Sequence, residues 1–342
     1  MEDIKENLTG HDADVAERME RILYEVKRVV VGQDHFLERV LVAILAGGHL
    51  LVEGVPGLAK TLTVKTLART VRGSFHRIQF TPDQVPADLI GTRIYNQKTG
   101  EFSTSLGPVF SNLLLADEIN RAPAKVQSAL LEVMQEAQVT IAGVTYKVPE
   151  PFLVMATQNP IETEGTYPLP EAQVDRFMMK VLVGYPSEEE EVVIVNRVTG
   201  AEQEVLPVTT TSDLAALQRT CRDCYVDPSL VRYAVRLVAV TRAPDRYDMP
   251  ELTKYLSWGA SPRASIHLIE GARALALLRG RHHVLPEDVV DIAPDVLRHR
   301  LSLSFEALSD AVTADQLILR MLKRHPPPEK VLESHVRVDA NV

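Results

Sequence analysis

Apolar residues at Val15, Met19, Ile22, Leu23, Val26 and Val30 recur at the three- and four-residue spacing of one helical face, so the chain begins with an amphipathic helix. A second helix is predicted over 34–47, carried by Phe36, Leu37, Val40, Leu41, Ile44 and Leu45. The pattern then changes. Five short β-like runs follow, at 50–53, 77–80, 113–117, 152–157 and 179–183, with helical stretches such as 124–136 between several of them. Continuous apolar strands separated by helices point to a parallel sheet covered on both faces.

Two segments break the alternation. Residues 138–148 alternate with period two around Ala142-Gly143, which is a hairpin signal. Residues 83–108 are rich in turn formers, and a structureless loop of that length is uncommon unless it is functional. After Tyr185-Pro186 the character becomes helical. Ser187 with Glu190 makes a capping box. Asp227-Pro228, Ser261-Pro262 and Leu285-Pro286 each read as a helix start, and Thr313 caps a last helix over 314–321. The predicted organisation is therefore an α/β part over 1–186, an all-α part over 187–325, and a weakly ordered tail over 326–342 that opens with Pro326-Pro327-Pro328. No internal repeat is visible.

At 342 residues, 45% hydrophobic and 24% charged, the chain can bury a large core without covalent staples. Its 37 basic and 46 acidic residues leave a net charge of −9, which argues against a protein whose main task is to coat nucleic acid or an anionic membrane. Two cysteines suit a reducing compartment. The longest apolar run, 40–48, falls well short of the roughly 20 residues of a membrane span. The first residues lack the basic start and apolar stretch of a secretory signal, so a cytoplasmic protein is expected. Cys221 and Cys224 form a C-x-x-C without strand–helix context, and two cysteines cannot complete a tetrahedral zinc site, so both are read as structural. His282 and His283 are expected to face solvent. The acidic run 188–191 suits the first turn of a helix.

The chemistry concentrates in a few places. Gly54-Val55-Pro56-Gly57-Leu58-Ala59-Lys60-Thr61 follows the first strand and precedes a helix, as a phosphate-binding loop does, with alanine in place of its second glycine. Successive backbone N–H groups and a helix N-terminus would face the phosphates. Lys60 would reach the β- and γ-phosphates, and the Thr61 hydroxyl would hold Mg²⁺. The Ala59 methyl is expected to be accommodated by a negative φ that turns it away. The third strand ends in Asp117-Glu118, where Asp117 would bind Mg²⁺, directly or through water, and Glu118 would polarise the attacking water. The fourth ends at Asn159-Pro160, where the amide could orient that water or simply form an Asn-Pro turn. Arg176, before the last strand, is either a surface residue or a finger reaching a neighbouring subunit. Arg263 lies in the first turn of a helix, where a cation is disfavoured. A γ-phosphate partner would explain it, and a solvated arginine is the alternative.

Together these motifs resemble the MoxR family of AAA+ ATPases, over nearly the whole chain from Val31-Gly32-Gln33 to about Leu303. The resemblance rests on the 54–61 loop, Gly91-Thr-Arg-Ile-Tyr95-Asn-Gln, Leu115-Ala-Asp-Glu-Ile-Asn-Arg121-Ala-Pro, Ala156-Thr-Gln-Asn-Pro-Ile161 and Glu164-Gly-Thr-Tyr-Pro-Leu-Pro-Glu-Ala172. Asp175-Arg-Phe177, Gly259-Ala-Ser-Pro-Arg263 and Leu285-Pro-Glu-Asp288 extend it. It implies a P-loop αβα domain with a five-stranded parallel sheet and a C-terminal helical lid. It makes the segment from Gly54 to Leu62 with Lys60 and Thr61 the Walker A loop, Asp117 and Glu118 Walker B, Asn159 sensor 1, Arg176 the arginine finger and Arg263 sensor 2. Val31, Gly32 and Gln33 resemble the segment that packs against adenine. The interruption at 83–110 is similar to the clade's helix-2 insert, and the 138–148 hairpin to the one preceding sensor 1. The implied cofactors are ATP and Mg²⁺, and the implied assembly is a homo-oligomeric ring, expected to be a hexamer, with chaperone-like action on client proteins. The usual partner carries a von Willebrand factor A domain; with no D-x-S-x-S motif here, that domain would lie on a separate chain. Two alternatives stay open: an AAA+ nucleic-acid translocase, disfavoured because the 138–148 hairpin carries only Lys147 as a basic residue, and a nucleotide-binding scaffold without turnover.

Overall fold

The computed structural model describes residues 2–98, 100–160, 165–200 and 203–329. The motif residues Ile161 and Glu164, and the tail from 330, lie outside the described residues. The chain forms two compact units, Met1–Thr220 and Cys221–Val342.

The first unit runs α1 (Glu2–Val29), α2 (Asp34–Ala46), β1 (Leu50–Glu53), α3 (Lys60–Thr70), β2 (Phe75–Gln79), α4 (Pro86–Ile90), β3 (Gly91–Asn96), β4 (Glu101–Leu106), β5 (Leu113–Asp117), α5 (Ala124–Glu136), β6 (Gln138–Ile141), β7 (Val144–Lys147), β8 (Leu153–Gln158), α6 (Glu171–Val174), β9 (Met179–Leu182) and α7 (Glu188–Thr199), and then enters α8 (Thr211–Asp223). The predicted face of α1 is buried at Val15, Met19, Ile22, Val26 and Val30. Gly47, at φ 72°, stops α2.

The five expected strands form one sheet in the order β2-β5-β8-β1-β9, and every pair is parallel. β1, β5 and β8 are buried on both faces, which is why they read as unbroken apolar runs. β2 is an edge strand, with His76 and Arg77 exposed. One face of the sheet closes over a core that includes Leu51, Leu114, Val154, Leu130, Leu131 and Phe177. Because β1 lies between β8 and β9 rather than beside β2, the strand order reverses there. In open α/β sheets, ligands bind at such a point, beyond the carboxyl ends of the strands.

The interruption at 83–108 has regular structure among its described residues. It contains the short helix α4 and an antiparallel hairpin, β3 paired with β4 from Gly91↔Leu106 to Asn96↔Glu101. The base of that hairpin is tight, since a Cβ at Gly91 would lie 2.1 Å from the Ser105 carbonyl oxygen. The predicted second hairpin is β6–β7, turning through Ala142 (φ 50°) and Gly143 (φ 83°).

The units divide later than residue 186, which marks only the end of the five-stranded sheet. Arg197 Nη1 donates to the carbonyls of Lys27 and Arg28 at 2.7 and 2.9 Å, and the Leu206 N–H donates to Glu25 at 2.9 Å. The Val208 N–H donates to Thr70 at 2.8 Å, and Gln218 Nε2 to Ile44 at 2.7 Å. These contacts hold the stretch after α7 in the first unit.

The second unit contains α9 (Pro228–Arg242), β10 (Leu256–Trp258), α10 (Pro262–Leu278), α11 (Pro286–Leu297), β11 (Ser302–Leu303), α12 (Phe305–Ser309) and α13 (Ala314–Arg324). The predicted starts hold: Asp227, Ser261 and Thr313 cap α9, α10 and α13 through side-chain oxygens. Among its described residues the unit is helical apart from the small β10–β11 ribbon and a single bridge between Tyr225 and His283. His282 and His283 are half-buried rather than solvent-facing, because the Tyr225 N–H donates to His282 and the Val284 N–H to Tyr225, both at 2.9 Å. Cys221 and Cys224 are unpaired and buried, and burial pushes their thiols up to about 12 and 11, as suits structural residues.

Candidate active site

The loop after β1 is built by close approach and by left-handed backbone. A Cβ at Gly54 would sit 2.5 Å from the Val183 carbonyl oxygen, so only glycine fits there. Gly57 adopts φ 85° with open space around it. Ala59 is also left-handed, at φ 56° and ψ 15°, contrary to the expected negative φ. The loop must reverse into α3 at this residue, whose carbonyl accepts the Thr63 N–H at 2.9 Å, and that geometry overrides the preference of an L-residue. No side chain caps α3, so the N–H groups of its first turn remain to be satisfied by a ligand or by water. Lys60 Nζ donates to the Gly54 carbonyl. Burial lowers the Lys60 pKa, while the nearby Asp117, Glu118 and Glu53 oppose that shift.

The carboxylates arrive from β5. Asp117 Oδ1 accepts from the Thr157 hydroxyl at 2.6 Å, and Thr157 Oγ1 accepts the Glu118 N–H at 2.9 Å. Asp117 Oδ2 accepts from Arg77 Nε at 3.1 Å and Nη2 at 2.7 Å. Glu118 is left-handed (φ 58°), and its carboxylate meets Arg121 Nε at 3.2 Å. Asn159 is buried at the end of β8.

These groups line one cleft of about 370 Å³, together with Gly54, Pro56 and the segment from Gly57 to Leu62. Lys60, Thr61, Asp117, Glu118 and Asn159 are thus brought together, while Val55 does not line the cleft. Three lining residues escaped the sequence reading: Arg77, Gln79 and Thr157. Thr157 could have been found as the polar residue ending an apolar strand. Arg77 carried no such signal, because its role depends on the pairing of β2 with β5.

Other predicted residues lie elsewhere. Gly32 and Gln33 are both left-handed, and Gln33 Nε2 donates to the Gly184 carbonyl at 3.0 Å, just beyond β9. Val31, Gly32 and Gln33 are therefore near the end of β1's neighbour but outside the cleft lining. Arg176 is also outside, its Nη1 donating to the Leu131 carbonyl of α5 at 3.0 Å. Arg263 belongs to the second unit, in the first turn of α10, where its N–H donates to Ser261 Oγ at 3.1 Å.

The donor set fits a phosphorylated ligand with a hard divalent cation. The uncapped helix start and Lys60 suit phosphate oxygens, and the Thr61 hydroxyl and Asp117 carboxylate are oxygen ligands of the kind Mg²⁺ takes. Among the described residues no three His, Cys, Asp or Glu converge on a metal.

Comparison with known proteins agrees with this geometry. Residues 49–179 match the model of the ATPase family associated with various cellular activities, and 251–321 match the AAA lid domain. The chain is 56% identical to Chaperone MoxR1 of Mycobacterium tuberculosis over 91% of its own length and 82% of that protein. It is 32% identical to Protein MoxR of Methylorubrum extorquens over 85% and 88% of the two chains. The crystal structure of a candidate ATPase from Cytophaga hutchinsonii superposes with a TM-score of 0.89 at 47% identity, covering 95% of this chain and 98% of that one. With the phosphate loop, the acidic strand end, the sheet order and the lid match in agreement, the chain belongs to the MoxR family of AAA+ ATPases.

Proposed function

We propose that the protein hydrolyses ATP with Mg²⁺ in a ring of identical subunits and uses turnover to remodel or mature partner proteins. The observation that carries the reading is the convergence of Lys60, Thr61, Asp117, Glu118 and Asn159 on one cleft at the sheet's switch point. Lys60 and the N–H groups opening α3 hold the phosphates. Thr61 and Asp117 hold Mg²⁺, which when bound offsets the charge spread over the transferring phosphoryl oxygens. Glu118 polarises the water and Asn159 orients it. Val31, Gly32 and Gln33 border the adenine.

Two arginines complete the scheme. Arg176 does not line its own subunit's cleft, which supports a role at a neighbour's site. Arg263 senses the γ-phosphate from the lid. A site shared between subunits couples hydrolysis to assembly, and a ring of six is the proposed form. The β3–β4 hairpin offers a client-facing surface: Tyr95 and Phe102 are 52% and 58% exposed with ring centroids 4.9 Å apart. It is tied to the second hairpin by Tyr146 Oη donating to Thr104 Oγ1 at 3.2 Å. A partner with a von Willebrand factor A domain, on a separate chain, is proposed from the family resemblance. The proposed compartment is the cytoplasm, consistent with two unpaired thiols; no described helix is long and apolar enough to cross a membrane.

The test is phosphate release from ATP, with and without Mg²⁺, by wild type, Lys60→Ala and Glu118→Gln. Wild type should turn over only with Mg²⁺. Lys60→Ala should lose nucleotide binding, and Glu118→Gln should bind without turnover. A Glu118→Gln protein as fast as wild type would overturn the assignment. The same variant, locked with ATP, is the bait for identifying clients.

A further inference from the structure

Both oxygens of Asp117 are engaged within the fold. Oδ1 takes the Thr157 hydroxyl at 2.6 Å, and Oδ2 takes two nitrogens of Arg77 at 3.1 and 2.7 Å. Arg77 reaches Asp117 from the adjacent strand: in the β2–β5 register Gln79 opposes Asp117, and Arg77 precedes Gln79 by two on the same face. Gln79 Oε1 accepts the same Nη2 at 2.7 Å and so fixes the aim of the guanidinium.

Resting on the Mg²⁺ reading of Asp117, we infer that Arg77 is a positioning residue that competes with the metal for Oδ2. A guanidinium and a divalent cation on one carboxylate oxygen repel each other and share its single negative charge, so each weakens the other's hold there. Arg77 therefore holds Asp117 while the metal is absent and withdraws when Mg²⁺ arrives with the nucleotide. The carboxylate does not lose its orientation in the exchange, because Thr157 keeps Oδ1, and Thr157 is itself fixed by the Glu118 N–H. The exchange is feasible because the Arg77 side chain is 47% exposed against 17% for Asp117. A partly exposed ion pair is weak enough for a metal–phosphate complex to displace. Arg77 thus sets how much Mg²⁺ is needed before metal and nucleotide bind together.

The experiment titrates Mg²⁺ against the full chain with a fluorescent ATP analogue and reads binding rather than turnover. Metal-free affinity, measured in EDTA, is recorded separately for each protein. Arg77→Met should lower the Mg²⁺ midpoint about fivefold, the scale of a partly exposed ion pair. An unchanged or raised midpoint overturns the inference. Should Arg77→Met fail to fold, Arg77→Lys decides the matter. Lysine keeps the charge but cannot place two nitrogens on one oxygen, so its midpoint should still fall, and equality with wild type overturns the inference. Wild-type protein that binds no nucleotide at any Mg²⁺ concentration would instead overturn the ATP reading itself, and this inference with it.

Discussion

Thr157, at the end of β8, donates its hydroxyl to Asp117 Oδ1 at 2.6 Å and so ties together the ends of two adjacent strands. Thr157 Oγ1 also accepts the Glu118 N–H, so one buried side chain positions both acidic residues. Thr157→Val keeps the shape and removes both hydrogen bonds. It should cost about 1–3 kcal/mol of stability and slow turnover, because groups left unsatisfied carry their desolvation penalty. Urea unfolding and phosphate release check this. A variant with wild-type turnover would mean that Asp117 and Glu118 hold their positions without it.

Ala59 sits at φ 56°, where an L-residue is disfavoured by about 1–2 kcal/mol. Ala59→Gly relieves that strain but loosens the unfolded chain by about 0.4–1 kcal/mol, so the two effects nearly cancel. The expected result is unchanged or slightly higher stability and unchanged ATP affinity. Ala59→Val keeps the left-handed strain and adds a β-branch, so it should lower both. Equal unfolding midpoints and equal ATP affinities for the two variants would show that residue 59 neither strains the loop nor lines the nucleotide.

The sheet and the phosphate loop were legible because each is dictated locally. β1, β5 and β8 are buried on both faces, so their sequences are continuously apolar, and Gly54, Lys60 and Asp117 sit at fixed offsets from those runs. What stayed hidden depends on distant partners. Arg77 gains its meaning only when β2 pairs with β5, forty positions along the chain from Asp117. The β3–β4 hairpin shows no buried–exposed alternation, since Thr92 through Asn96 are all exposed, and so it leaves no period-two signal. The sign of φ at Ala59 follows from how the loop must enter α3, which its residue type does not report. The later unit boundary follows from Arg197 and Leu206 meeting α1, contacts that no composition shift marks.

His49 is buried between elements of the first unit. Its Nδ1 accepts the Val154 N–H at 3.1 Å, so the proton lies on Nε2, which is 3.1 Å from the Met134 carbonyl. Burial pushes its pKa from 6.5 down to about 4. The unfolded state therefore takes up the proton first. The stabilisation is complete above pH 6.5 and is lost as pH falls from 6.5 towards 4, to a total of about 3 kcal/mol. His49→Gln should be less stable than wild type at neutral pH but should lose less on acidification. Unfolding free energies measured across that window check this, and parallel curves would remove His49 from the account.

Arg176 offers the test of the ring. Its Nη1 is held by the Leu131 carbonyl at 3.0 Å and it does not line its own cleft, so on the proposed reading ATP binding within one subunit should not need it. Arg176→Ala should bind ATP nearly as wild type does and hydrolyse it poorly. A structural role would show differently: losing the Leu131 contact would lower the unfolding midpoint and affinity together. Mixing then decides between a finger acting across the interface and one acting within the subunit. Arg176→Ala subunits keep an intact phosphate loop, and Lys60→Ala subunits keep an intact arginine. Each alone should be nearly inactive. In mixed rings some interfaces join a sound site to a sound arginine, and activity should return. An arginine finger is worth roughly 10³–10⁵ in rate, so even a minority of competent interfaces would stand well above either parent. If the two proteins are shown to co-assemble and no mixture recovers turnover, Arg176 acts within its own subunit or only supports α5, and the case for a site shared between neighbours fails with it.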